Sequence, residues 1–462
     1  MGCVVPARAA HAIPWHAGFM SQDASLARHG AADFGLLGTQ RTPIEKTELR
    51  GITLLQLEQL DDFIERHADE HGVLNGWLDR EGQPLRKDRI NLYDVVKHVV
   101  KPATKEHNCS YVELVAPVGT SSQRPKWFVS HWWGEPVKDF IKALKNHAKV
   151  RGLGETDAYW VCAYANNQHD LGSEIPADPK ESAFYKAMQL CDGVVVVLDG
   201  KATPFTRIWC CFEFAMVVLG KKLLLDFATV HAGKPQLLTE GLASEDENLS
   251  NLSCPEDATK YKIARESDFP LRLMEKGYEI QIEFAQASKE EDKRNIMNSI
   301  TKKPLDSTSD PSDPAITRVN RTLRSILAEH AARESAFSGQ LQKAMEFICG
   351  DEERKKLTLD FTACWKHVSD VSALAALGGL QNLAQLTLNF AFCQDLSDVS
   401  ALAALGGLQN LAQLTLKFRS CSQLSDVSAL AALGGLQNLA QLTLDFTSCR
   451  QLSDMSALAA LG

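Results

Sequence analysis

Glu213 is a carboxylate in unusual company. It closes the run Arg207-Ile-Trp-Cys-Cys-Phe-Glu213 and is followed by apolar residues to Leu219. On a helix Trp209 and Cys210 precede it by four and three residues, so the three share a face. A carboxyl partly buried among Trp and Phe has a raised pKa and can serve as acid, base or stabiliser of a developing cation. The alternative is a structural Glu paired with Arg207 or a backbone amide. Cys210 and Cys211 near the helix start could have lowered pKa values, but their aromatic neighbours predict burial instead. A second polar set comprises Ser130-His131-Trp132-Trp133, Asn166-Asn167-Gln168-His169-Asp170, and Asp199. It offers hydroxyl, imidazole, amide and carboxylate groups beside aromatic faces, a mixture that could hold a base-and-ribose ligand. The alternative is the ordinary polarity of loops. Ser130 and His131 are adjacent on a strand and point to opposite sides, so they are no nucleophile–base pair.

These residues need elements that bring them together. Trp127–Ser130 reads as a strand, Val137–Val150 as an amphipathic helix, and Tyr159–Ala165 as a second strand. Lys180–Leu190 is helical, Val194–Leu198 a third strand, Ile208–Leu219 a helix and Lys222–Phe227 a fourth strand. Alternating strand and helix with continuous apolar strands predicts an α/β fold with a doubly wound parallel sheet. Ligands in such sheets bind beyond the carboxyl ends of the strands, where Ser130–Trp133, Asn166–Asp170 and Asp199 all stand.

FVSHWW at 128–133 and WCxxE at 209–213, on this order of elements, resemble a TIR-like (Toll/interleukin-1 receptor) domain, with a flavodoxin-like sheet. The resemblance covers roughly 120–230. Some members cleave NAD at the nicotinamide ribosyl bond, and others are adaptors without turnover. By resemblance Glu213 would stabilise the developing oxocarbenium ion, with Ser130 and Trp209 lining the pocket. NAD is then a substrate, and no cofactor is required; the first expectation is nevertheless a signalling protein in which the carboxy-terminal repeats described next bind a protein partner and the TIR-like domain relays, with NAD hydrolysis as the alternative. The family's proline-bearing loop after strand two is replaced by ANNQHDLGSEIPADP, which bears on any self-association through that loop.

Further along, DVSALAALGGLQNLAQLTL starts at Asp370, Asp398 and Asp426, and a further copy opens at Asp454, a period of 28 residues. Each unit reads LxxLxLxFxxC, as in Leu383, Leu386, Leu388, Phe390 and Cys393. Leu386-Thr387-Leu388 fits a short strand with Leu inward, and Leu402 and Leu405 suit a helical return. One unit cannot bury both faces, but stacking closes a core. The pattern resembles leucine-rich repeats over 350–462, with Cys where the family more often has Asn. Cys364, Cys393, Cys421 and Cys449 should form a buried structural ladder. The outward strand positions Asp360, Asn389, Lys417 and Asp445, and loop positions Phe392, Ser420 and Ser448, vary between copies. They are candidates for binding a protein partner; neutral drift is the alternative.

The remaining features narrow the function classes. Lys plus Arg is 49 against 58 Asp plus Glu, a net charge of −9, which argues against a protein dominated by phosphate contacts with nucleic acid. No run approaches about 18 apolar residues, so no transmembrane helix is expected. The twelve cysteines show no zinc spacing, and no secretory signal opens the chain, so reduced thiols and a cytoplasmic location are expected. No GxxxxGK[ST], GxSxG or HExxH occurs. His67 and His71 have metal-ligand spacing, but the acids around them read as a solvated face.

The expected organisation is a disordered 1–45, a helical flank 46–115 and a TIR-like domain with a carboxy-terminal extension over 116–300. A linker 301–314, a helix 315–349 capping the repeats, and the repeats 350–462 follow. Met-Gly-Cys hints at acylation of Gly2 and Cys3, although position 6 is Pro. Within the flanks, helices are expected near Leu54–His71 and Leu92–Val100 and a polar mobile insertion at 240–268. Tyr278–Ile282 reads as an edge strand, and Ser288 with Glu291 as a capping box opening a helix to about Ile300.

Overall fold

The structure is a computed structural model that describes residues 41–461 except 80, 175, 221–222, 252–257, 363 and 365–370. The expectations for residues 1–40, including acylation of Gly2 and Cys3, lie outside the described residues.

A mixed α/β unit with a mostly parallel central sheet holds the predicted polar residues. Its strands are β1 (Ile52–Thr53), β2 (Pro125–His131), β3 (Ala158–Trp160), β4 (Gly193–Leu198), β5 (Leu224–His231) and β6 (Lys234–Leu238). Their order is β1-β3-β2-β4-β5-β6, with β3, β2, β4 and β5 parallel and the two edges antiparallel. Helices cover both faces: α1 (Leu54–His67) and α2 (Val137–Arg151) on one, α3 (Ala183–Leu190) and α4 (Ile208–Leu219) on the other. The strands are apolar throughout because both faces are buried. Trp127, Val129, Val195 and Val197 join the core under α2, and Phe128, Val194 and Val196 the core under α4. The flank packs on the α2 side through Leu57, Leu60 and Phe63 of α1.

Three expectations about local structure are corrected, those for 159–165, 278–282 and 240–268. The run 159–165 is not one strand: it leaves the sheet after Trp160 and turns helical over Cys162–Ala165. β5 folds back on β6 through Ala232 and Gly233, both at positive φ (49° and 73°), which suits a two-residue hairpin turn. Tyr278–Ile282 forms no strand; a single 3₁₀ turn runs Ile282–Phe284 instead. The polar stretch 240–268 also carries structure: helices Ser244–Asn251 and Ala258–Glu266 are joined by Arg265 to Asp246 at 2.9 Å.

Beyond the sheet, α5 (Glu290–Thr301), α6 (Pro314–His330) and α7 (Leu341–Cys349) lead into four parallel strands, β7 (Lys356–Asp360), β8 (Gln385–Asn389), β9 (Gln413–Lys417) and β10 (Gln441–Asp445). These pair in register, Leu388 beside Leu416 beside Leu444, at the period of the repeat. Each returns through a 3₁₀ helix such as Ser400–Gly407, whose three-residue period puts Leu402 and Leu405 on the buried face. Neighbouring turns stack tightly enough that a Cβ on Gly406 would meet the Ala432 carbonyl at 2.3 Å, which is why the repeat carries Gly there. Phe361, Phe390, Phe418 and Phe446 stack with centroids 5.3 to 5.5 Å apart. The thiols of Cys393, Cys421 and Cys449 donate to the carbonyls of Phe361, Phe390 and Phe418 at 3.0, 3.1 and 2.9 Å, the expected ladder. Among the described residues no helix is long and apolar enough to cross a membrane.

Candidate functional site

A cavity of about 330 Å³ opens at the carboxyl edge of the sheet. It wraps the end of β2, where His131, Trp132 and Trp133 leave the strand, and the turn after β3 supplies Cys162, Asn166 and Gln168. α3 contributes Phe184, and the first two turns of α4 contribute Trp209, Cys210 and Glu213. The doubly wound order puts those elements side by side at one edge, as expected for this topology.

Glu213 is 5% exposed, and its Oε2 has no hydrogen-bond partner in a standard geometry. Burial pushes its carboxyl up to about 8, and the nearby Ser130 hydroxyl pulls it part of the way back. The carboxyl is therefore mostly protonated at neutral pH. His131 is the opposite case: burial holds its imidazole down to about 3, so it is neutral. Its ring packs 4.8 Å from Phe140 of α2, and its Nε2 lies 4.0 Å from Cys162 Sγ. Burial raises both lining thiols, Cys162 to about 12 and Cys210 well above the ordinary range, so neither is a thiolate nucleophile. Cys162 Sγ accepts from Trp133 Nε1 at 3.1 Å, and Cys210 Sγ donates to the His131 carbonyl at 3.6 Å. Asn166 donates through Nδ2 to the Cys162 carbonyl at 3.0 Å, which leaves its buried Oδ1 unpartnered. The site thus presents a neutral carboxyl and spare acceptors, bordered by the rings of Trp132, Trp209 and Phe184. That set suits an aromatic ring bearing polar groups. A positive charge on the ring would draw the proton from Glu213.

Comparison with known proteins leaves the question to the geometry. No family model and no curated protein matches the chain.

The cavity gathers His131, Trp132, Asn166, Trp209 and Glu213 from the residues singled out in the sequence. Ser130 does not line it; fully buried, it stands behind the wall beside Glu213. Asn167 turns away and donates to the Asn108 carbonyl at 3.0 Å. Asp199 serves its own loop, accepting from Thr203 N at 2.6 Å and Thr203 Oγ1 at 2.9 Å. Arg207 does not pair with Glu213, for its Nη2 donates to Ser288 Oγ at 3.3 Å. Ser288 therefore makes no capping box: α5 begins after Lys289 without a side-chain cap.

One wall comes from residues that the sequence did not assign to the site, Ser288 among them having read as a helix cap. Gln286, Ser288, Lys289, Asp292 and Asn295 line the cavity from the segment leading into α5. Gln286 is stitched to the start of α4, its N–H donating to the Thr206 carbonyl at 2.7 Å and its carbonyl accepting from Ile208 N at 2.9 Å. Among the described residues no group of three or more His, Cys, Asp or Glu is placed to hold a metal ion.

The variable strand positions of the repeats have a local duty. Asp360, Asn389 and Asp445 each accept from the backbone N–H two residues on, at 2.9, 3.1 and 2.9 Å. Their side chains fasten the turn after the strand. Lys417 has no acceptor to do so and is exposed. Phe392, Ser420 and Ser448 in those turns share a left-handed backbone, with φ of 63°, 61° and 65°. The outward columns are Gln385, Gln413 and Gln441 beside Thr387, Thr415 and Thr443.

Proposed function

We propose that this chain is a TIR-like domain fused to leucine-rich repeats, and that its cavity binds NAD and hydrolyses the nicotinamide–ribosyl bond. The observation that supports this reading is Glu213. It is a buried carboxyl with an unpartnered oxygen, in a cavity shared with Trp209, His131 and the loop after β3. A purely structural Glu would be paired or sealed in the core.

In this reading the cationic nicotinamide ring enters among the aromatic faces and lowers the pKa of Glu213, which ionises on binding. The C1′–N1 bond breaks with its electron pair going to the ring nitrogen, so nicotinamide leaves neutral. The oxocarbenium ion left on the ribose is stabilised by the Glu213 carboxylate. Water adds to C1′ and releases one proton, giving ADP-ribose. Asn166 Oδ1 is an acceptor available to a ribose hydroxyl. The repeats take a protein partner, with the Gln and Thr columns and Lys417 as the contact face, and act in the cytoplasm.

A second reading has a specific observation in its favour. Glu213 is neutral without a cation, so the cavity can bind a nucleotide and relay the event with no turnover. The two separate by experiment. The full-length chain is incubated with NAD, and nicotinamide release is followed by chromatography beside Glu213→Gln. Hydrolysis predicts release by the wild type and a loss of about 100-fold or more in the variant. Release that survives the substitution overturns the role of Glu213. Binding of NAD by calorimetry without release favours the relay.

A further inference from the structure

The indole of Trp209 is one wall of the cavity, and its position is set from outside the sheet. Its ring stacks on Phe184 with centroids 5.2 Å apart and planes at 24°. Its Nε1–H donates to Asp292 Oδ2 at 3.2 Å. Asp292 lies in the first turn of α5, partly buried, and its pKa is raised by burial against the pull of that same indole bond. The residues just before it are anchored to the same end of α4, Ser288 by the Arg207 guanidinium and Gln286 by two backbone hydrogen bonds. Asp292 is therefore presented to Trp209 by a helix whose lead-in is anchored at Gln286 and Ser288, rather than by a free helix end.

We propose that Asp292 is a positioning residue for this site: it holds Trp209 flat against Phe184, and so keeps open the slot into which an aromatic ligand inserts. Asp292 lines the cavity, and the role assigned to it here is its hydrogen bond to the indole of Trp209. An indole released from this bond can rotate about χ1 and χ2 off Phe184 and into the cavity, where it fills the space that the ligand needs. The effect therefore falls on binding and leaves the chemical step at Glu213 intact. The kinetic part of this inference rests on the NAD reading; the spectroscopic part does not.

The test compares Asp292→Ala and Asp292→Asn in the full-length chain, with Trp209→Phe as the spectral reference. Asn keeps an oxygen acceptor where Ala has none. The near-ultraviolet circular dichroism of Trp209 is obtained as wild type minus Trp209→Phe. It is expected to collapse in Asp292→Ala and to return in Asp292→Asn. With NAD, KM is expected to rise about tenfold in the Ala variant, the worth of one ordered aromatic stack, with kcat within about twofold. The Asn variant is expected within about twofold of wild type in both. A merely structural role would lower the melting temperature in both variants without splitting KM from kcat. An unchanged Trp209 signal in Asp292→Ala, or an Asn variant as impaired as Ala, overturns the proposal. If the wild type leaves NAD intact, the hydrolase reading fails by itself, and the Trp209 signal still decides whether Asp292 positions the indole.

Discussion

The raised pKa of Glu213 can be weighed by unfolding, independently of any ligand. Its carboxyl moves from an ordinary 4.5 to about 8 in the folded chain. The folded state therefore holds the proton more tightly than the unfolded state. The contribution is fully present below pH 4.5, declines as pH rises, and is gone once pH has passed about 8. At about 1.4 kcal/mol per pH unit this is at most about 5 kcal/mol of stability lost between those limits. Glu213→Gln mimics the protonated side chain and cannot ionise, so it removes this slope. Urea unfolding of both proteins, followed by tryptophan fluorescence at pH 5 and pH 8.5, measures the difference. The variant is expected to gain on the wild type by several kcal/mol over that interval. Parallel pH dependence in the two proteins would refute the reasoning, because it would mean that Glu213 ionises in the fold at its ordinary pKa. The same group predicts that a cationic aromatic ligand binding at pH 7 releases close to one proton. Calorimetry in buffers of different ionisation enthalpy detects it, and the Gln variant abolishes it.

Two further predictions test the frame around the site. Lys417→Asn supplies the turn acceptor that Asp360, Asn389 and Asp445 provide in the other units, and is expected to stabilise the chain by about 0.5–1 kcal/mol, read as a higher urea midpoint; no gain would show that those bonds contribute nothing net. Asp226 is fully buried in β5, accepts from Arg151 and His147, and is held down to about 2 by them against burial. Its stabilising contribution is present above pH 3.8 and lost as pH falls through 2, and Asp226→Asn is expected to cost about 3 kcal/mol or more at pH 7 because it leaves Arg151 buried without its counter-charge. Equal stability at neutral pH would refute that account.

Periodicity carried the fold because both sheet faces are buried and the inner repeats are packed between neighbours, so strand and return wrote themselves into the apolar pattern. That Glu213, Trp209, His131 and Asn166 gather at one cavity was legible for the same reason: the doubly wound order sends strand ends and the start of α4 to one edge. What the sequence hid is non-local. Asp292 meets Trp209 from 83 residues away, and no spacing rule connects them. Ser288 looked like a helix cap because its local pattern fits, yet Arg207 claims its hydroxyl. Asp199 looked like a ligand because it ends a strand. A carboxylate four residues before a Thr in a Gly-containing loop is also a turn clasp, and the backbone N–H groups there took it. β3 stops at Trp160, within an apolar run that composition alone reads as continuous strand.

Helix α6 packs against α4 on one side and α7 on the other. Its Asn320 and Arg324 bind the backbone at Ile282 and Ile280, just ahead of the cavity wall. Its Ser325 takes the Arg354 guanidinium at 2.8 Å, at the threshold of the first repeat strand. The two halves of the molecule thus meet in one beam instead of across a tether. Severing the chain near residue 300 would bare the flank of the helix that bears Glu213, so excised halves are poor surrogates for the whole. Units could be gained or lost at the distal rung of the ladder with little consequence for the cavity, whereas damage to the proximal rung would be felt there.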